Sequence, residues 1–164
     1  MRMTLDTLAV FKIIQNELLT MADNEKLIAN SGVIEWLSFY PKGVPPTESK
    51  DADGEFYRIV KDKPPTTQCF KSMFETKPKR LQKFKGLDLK CAYGVSVYSE
   101  EGALINAFEK FPEGAGDFFI ARGCICPDDG KIMKTFSDPA HYTLWLRKGH
   151  EIHNKFSCIG GLSK

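Results

Sequence analysis

Arginine is the side chain best shaped to hold a phosphate or carboxylate, because its planar guanidinium presents paired N–H donors. Arg58 stands inside the apolar run Phe56-Tyr57-Arg58-Ile59-Val60. Two readings are open for it: an edge-strand arginine facing solvent, or a guanidinium placed in a cleft to grip an anion. A second set of polar side chains lies in Gly94-Val95-Ser96-Val97-Tyr98-Ser99-Glu100-Glu101-Gly102-Ala103, which reads as a buried strand running straight into a helix. The first amides of a helix are unpaired and attract anions. Ser96 and Ser99 can therefore orient a ligand there while Tyr98 stacks on a planar ring. The same residues have plainer uses, Ser99 as an N-cap and Ser96 as a small residue in a tight space. Strand alternation puts Ser96 and Tyr98 on one face and Val95 and Val97 on the other. His141 titrates near neutral pH, which fits it to acid–base work.

Two further clusters carry chemistry. Cys124-x-Cys126, His141, His150-x-x-His153 and Cys158 are ligand types suited to zinc, and a Cys-x-Cys pair in a strand projects both sulfurs to one face. Their spacing matches no familiar finger, and free thiols with surface histidines are the alternative, so no metal is expected. The run Lys77-Pro78-Lys79-Arg80-Leu81-Gln82-Lys83-Phe84-Lys85 combines five cations with an aromatic ring. Such a mixture can meet phosphates and stack on a base, or can form a solvated loop.

These residues need elements to hold them. Apolar residues at three- and four-residue steps predict a helix over 6–21, and Asn24 can cap a shorter second helix, giving an N-terminal helical segment over residues 1–40. The aromatic stretch Trp36-Leu37-Ser38-Phe39-Tyr40 ends that segment. Residues 41–54, rich in proline, glycine and acids, read as an exposed linker. Residues 55–164 read as a β-rich body: strands at 56–60, 91–98 and 118–126, a helix over 100–110, and a strand at 131–134 joined to its predecessor by an Asp129-Gly130 hairpin turn. Strand composition returns at 141–146 and 157–160. The expected class is α+β in a single domain, a helical segment followed by a mixed or antiparallel β-rich body with short helices.

Composition narrows the partners. With 164 residues, 42% of them hydrophobic, the chain can bury a sizeable core. Its formal charge of +2 is too small to argue for nucleic acid, so any such case rests on the local basic run. No apolar stretch approaches the roughly 20 residues that span a bilayer. Five unpatterned cysteines fit a reducing compartment, and a cytoplasmic location without membrane contact is expected.

A strand with Tyr57-Arg58, then Pro64-Pro65-Thr66 and Phe70-x-Ser72, then Gly94-x-Ser96-x-Tyr98-Ser99 leading into an alanine-containing helix resembles the ADP-ribosyltransferase-like fold. The resemblance covers roughly residues 55–160. It implies NAD as cofactor and transfer of ADP-ribose or cleavage of NAD as activity. Arg58 would then match the arginine that contacts cofactor phosphates, and Ser96 or Tyr98 the position that supports the nicotinamide end, with Ser72 and Ser99 nearby. The family's strand glutamate has no counterpart in 118–126 or 141–146, which leaves either a variant active site using His141 or Arg122 or a degenerate fold that only binds. The alternative is a non-enzymatic interaction module that uses the N-terminal helices and the aromatic segment as its partner surface.

Overall fold

Seven strands form among the described residues: β1 (Lys50–Asp51), β2 (Gly54–Val60), β3 (Val95–Tyr98), β4 (Asp117–Ile125), β5 (Gly130–Lys134), β6 (His141–Leu146) and β7 (Phe156–Ser163). The computed structural model describes Gln15, Asn16 and residues 35–111 and 116–164. The N-terminal helices expected from the sequence lie almost wholly outside them. The chain divides into two compact units, Met1–Ile34 and Glu35–Lys164, and all seven strands belong to the second.

The strands form one antiparallel sheet in the order β1-β5-β6-β3-β2-β4-β7. Three short α-helices accompany it, α1 (Met73–Thr76), α2 (Gly86–Cys91) and α3 (Glu101–Lys110). Four 3₁₀ turns complete the unit, among them Thr67–Phe70 and Pro78–Lys83. The architecture is therefore α+β and mostly sheet. No helix among the described residues is long and apolar enough to cross a membrane.

Strand alternation decides which side chains meet. Phe56 and Val60 of β2 pack with Val95 and Val97 of β3, Leu144 of β6, and Phe70 in one buried cluster. Tyr57 and Ile59, the alternate residues of β2, pack with Tyr98, Ile120 and Leu104 of α3 in another. β6 sits third from the β1 edge and reads His-Tyr-Thr-Leu-Trp-Leu. Five of its six residues are buried, because both its faces are covered.

Two sequence expectations are corrected here. Residues 41–54 are not an exposed linker: Val44, Pro46, Ser49 and Ala52 are buried, and Lys50 and Asp51 pair with β5. Proline and glycine set the turns of this stretch but do not decide what lies between them. Its few apolar side chains are spaced so that they plug the core. The aromatic stretch before it packs on the body as well. Phe39 stacks on Phe74 with ring centroids 5.1 Å apart, and the Tyr40 hydroxyl accepts a 2.9 Å bond from Leu146 N–H. Burial pushes the Tyr40 phenol well above its ordinary pKa. Phe39 and Tyr40 are half-buried in these contacts.

The second correction concerns Asp129-Gly130, expected as a β4–β5 hairpin turn. β4 pairs with β2 and β7, whereas β5 pairs with β6 and β1. A 3₁₀ turn (Pro127–Asp129) carries the chain away from β4. The buried Asp129 carboxylate fixes the corner, accepting from Cys126 N–H at 2.8 Å and from Lys155 Nζ at 2.6 Å. Gly130 then presses against the Trp145 carbonyl of β6, an approach open only to a residue without a Cβ.

Candidate functional site

β2 makes seven residue pairs with β4 but one with β3, Tyr57↔Tyr98. Beyond that pair the sheet splits, and strand carbonyls on the β3 side lose their ladder partners. Arg58 occupies the opening. Its Nε donates to the Cys69 carbonyl at 2.8 Å and its Nη1 to the Ser96 carbonyl at 2.6 Å, and the guanidinium carbon lies 5.5 Å from the centre of the Phe70 ring. No carboxylate among the described residues forms an ion pair with it. Desolvation lowers its pKa to about 10, so it stays protonated at neutral pH.

A cavity of about 710 Å³ opens at this split, a size usual for small-molecule sites. Arg58, Ser96, Tyr98 and His141 all line it. One wall comes from residues 71–84, with Lys71, Lys77, Arg80 and Phe84, and another from the β5–β6 connection, with Phe136, Ser137 and Asp138. A second cavity of about 770 Å³ shares Arg58, Ile59, Thr76, Lys77 and Phe118 with the first, which puts Arg58 on their common boundary.

The sequence-predicted residues converge in part. Arg58 has the strand parity of Phe56 and Val60, whereas Ser96 has that of Tyr98. Arg58 therefore meets β3 through the Ser96 carbonyl and not its hydroxyl, which is exposed. Tyr98 is packed against Leu104 of α3 and edge-on to His141, with ring centroids 5.1 Å apart, so its ring is wall rather than stacking platform. Burial raises its phenol pKa.

Ser72 and Ser99 do not line the cavity. Ser72 is buried as the N-cap of α1: its hydroxyl accepts from Glu75 N–H, and the Glu75 carboxylate accepts from Ser72 N–H at 2.8 Å. A serine three residues before a glutamate is a capping-box signature, and that use consumes the side chain. The N-cap of α3 is Glu100, one residue beyond Ser99, and no side chain caps that helix. Ser99 contributes its backbone N–H to the Ala140 carbonyl. Arg122, the alternative to His141, is exposed on β4 beside Glu55 and away from the cavity.

His141 is buried, with Nδ1 2.9 Å from Thr135 Oγ1 and 3.1 Å from the Thr135 carbonyl. A carbonyl only accepts, so the contact with the Thr135 carbonyl is a hydrogen bond in the tautomer with its proton on Nδ1, which leaves Nε2 its lone pair. Thr135 Oγ1 continues to Thr143 Oγ1 at 2.8 Å, which locks the ring's orientation. Burial holds the imidazole below its ordinary pKa, and it is neutral at pH 7. The stability that depends on neutral His141 is complete above about 6.5, the unfolded value. It is lost as pH falls through the lower folded value, because the unfolded chain then binds the extra proton. Urea midpoints measured between pH 5 and 8 are expected to fall on the acid side, and His141→Gln to flatten that part of the profile.

Sequence reasoning missed two cavity residues. Phe136 is 62% exposed and takes a left-handed backbone at φ 64°, with its ring 5.0 Å from that of His141. Such a conformation costs a bulky residue about 1–3 kcal/mol and collects at functional sites. Asp138, two residues on, accepts from Ala140 N–H at 2.9 Å. The only sequence signal was Ser-Asp-Pro, a turn former that says nothing of a neighbouring ring. Among the described residues no group of three or more histidine, cysteine or acidic side chains is arranged to hold a metal. Cys126 instead lies 3.1 Å from Lys155 Nζ, and all five cysteines are free thiols.

Comparison with protein-family models, with curated proteins and with solved structures returned no match for this chain.

Proposed function

We propose that this chain binds a nucleotide of the NAD type in the cavity at the β2–β3 split and cleaves or transfers at its glycosidic bond. One observation carries the reading. Arg58 is a protonated, half-buried guanidinium on the cavity wall that pairs with no carboxylate among the described residues, and two of its five donors are spent on carbonyls. A desolvated charge of this kind is completed by an anion. The aromatic and acidic groups opposite supply the remaining contacts that the resemblance to ADP-ribosyltransferases calls for.

In this reading Arg58 neutralises the pyrophosphate and Phe136 stacks on a planar ring. No glutamate among the described residues lines the cavity, and Asp138 is the described carboxylate beside His141. Asp138 stabilises the positive charge that develops on the ribose as the bond from C1′ to the nicotinamide nitrogen breaks. His141 Nε2 takes the proton of the incoming water or acceptor hydroxyl as the new C1′–O bond forms. Calorimetry with NAD and ADP-ribose, together with an assay of nicotinamide release, tests this. Asp138→Asn is expected to bind NAD within about threefold of the parent and to lose turnover by a factor of about 100 or more, the usual range for charge stabilisation. Absence of saturable binding on folded protein overturns the proposal.

Phe136→Gly separates binding from folding. Glycine accepts the left-handed backbone, so stability is expected to change by no more than about 1 kcal/mol. Loss of the stacking face is expected to weaken NAD about tenfold, equivalent to about 1.4 kcal/mol.

A further inference from the structure

Between Lys71 and Lys90 the sequence carries seven cations against two carboxylates, although the whole chain has a formal charge of only +2. The structure shows where this excess is spent. Lys71, Lys77, Arg80 and Phe84 form part of the cavity wall, while Lys79, Lys83 and Lys85 are exposed outside it on and just after the 3₁₀ turn Pro78–Lys83. The segment that walls the opening beside Arg58 thus also carries exposed cations, Lys79, Lys83 and Lys85, outside it.

The aromatic surface follows the same pattern. The described residues expose four large hydrophobic side chains, Leu87, Phe111, Phe136 and Ile159, and the two aromatic ones both line this cavity. A basic track that leads to exposed rings is the combination that holds single-stranded nucleic acid, the cations following the backbone and the rings receiving bases. A duplex keeps its bases stacked and paired, and so offers nothing to a recessed pocket. An acidic protein would use the charges but leave the rings without planar partners.

We infer that the cavity's macromolecular partner is single-stranded nucleic acid, its backbone lying along Lys79, Lys83 and Lys85 and one unstacked nucleotide entering beside Phe111 and Phe136. The inference rests on the nucleotide reading of the cavity and adds the acceptor, one nucleotide of which enters beside the cofactor.

The test is fluorescence anisotropy with a labelled mixed-sequence 12-nucleotide single strand, as DNA and as RNA, and with its duplex, from 50 to 200 mM salt. The expected result is single-strand binding at least about tenfold tighter than duplex binding, weakening with salt at about −0.7 in log–log slope per phosphate engaged. The variant Lys79→Glu/Lys83→Glu/Lys85→Glu, with its fold checked by circular dichroism, is expected to lose about 100-fold in oligonucleotide affinity while keeping parental NAD affinity. Phe111→Ala is expected to cost about fivefold or more on the single strand. Equal or tighter duplex binding, equal competition by polyglutamate, an unaffected triple variant, or no binding at 50 mM salt each overturns the inference. Oligonucleotide binding without any NAD binding instead overturns the cofactor reading and leaves the basic segment as the binding element.

Discussion

Gly130→Ala is expected to destabilise the protein by about 2–6 kcal/mol, read as a shift in urea midpoint. Two costs add. The backbone at Gly130 has φ +156°, where L-residues are strained by about 1–3 kcal/mol. A Cβ there would also overlap the Trp145 carbonyl oxygen, and backbone of a central strand cannot swing aside as a side-chain end can. Overpacking of this kind costs about 1–3 kcal/mol more. The control is Gly149→Ala, at φ +82° with no heavy atom within 4 Å of the added methyl. It is expected to cost about 1–2 kcal/mol, the backbone part alone. If the two substitutions prove equally mild, the Gly130–Trp145 approach is not what fixes β5 beside β6.

That corner shows what a sequence conceals. Asp129-Gly130 carries the same letters whether the chain reverses into a hairpin or turns away to another strand. The choice is made by partners far along the chain, Lys155 on the Asp129 carboxylate and Trp145 against the glycine. Strand identities were legible at β2 from its run of aromatic and β-branched residues and at β3 from Val95 and Val97 alternating with Ser96, and both signals are local. Strand order was not, because pairing depends on which edges meet. The buried turns of 41–54 were hidden for a related reason: Val44, Pro46 and Ala52 are too few to show a period, yet each fills a core position.

The candidate site divides along the same line. Arg58 and His141 stand out in apolar strands as residues with a desolvation cost, and both line the cavity. Ser72 and Ser99 were singled out by position at helix starts, where a cap and a ligand site use the same side-chain chemistry. In the structure the cap takes Ser72 and the backbone takes Ser99. Phe136 was invisible, since its prominence comes from a left-handed backbone and 62% exposure, neither of which its letter encodes. The split between β2 and β3 joins these facts. It frees the Ser96 carbonyl, draws in a guanidinium that satisfies it together with the Cys69 carbonyl of the Thr67–Phe70 turn, and in doing so leaves a positive charge at the cavity wall.

Arg58 therefore has two duties, and substitutions can separate them. Arg58→Met keeps the length of the side chain and removes the charge and both hydrogen bonds, leaving the Cys69 and Ser96 carbonyls without donors. Bonds to charged groups contribute about 1.5–3 kcal/mol each. The cost of burying the cation is recovered, so a net loss of about 2 kcal/mol is expected. Its NAD affinity is expected to fall by more than about 100-fold, equivalent to about 2.7 kcal/mol. Arg58→Lys keeps a cation but not the fork that spans two carbonyls and still faces the cavity. It is expected to fold with a smaller penalty and to bind NAD about tenfold more weakly. Inorganic pyrophosphate provides the readout that a purely structural arginine would not move. It is expected to raise the unfolding midpoint of the parent as ligand linkage requires, and to leave Arg58→Met unchanged. Should Arg58→Met lose stability but retain NAD affinity within about threefold of the parent, the guanidinium is a staple for the split sheet and the anion lies elsewhere.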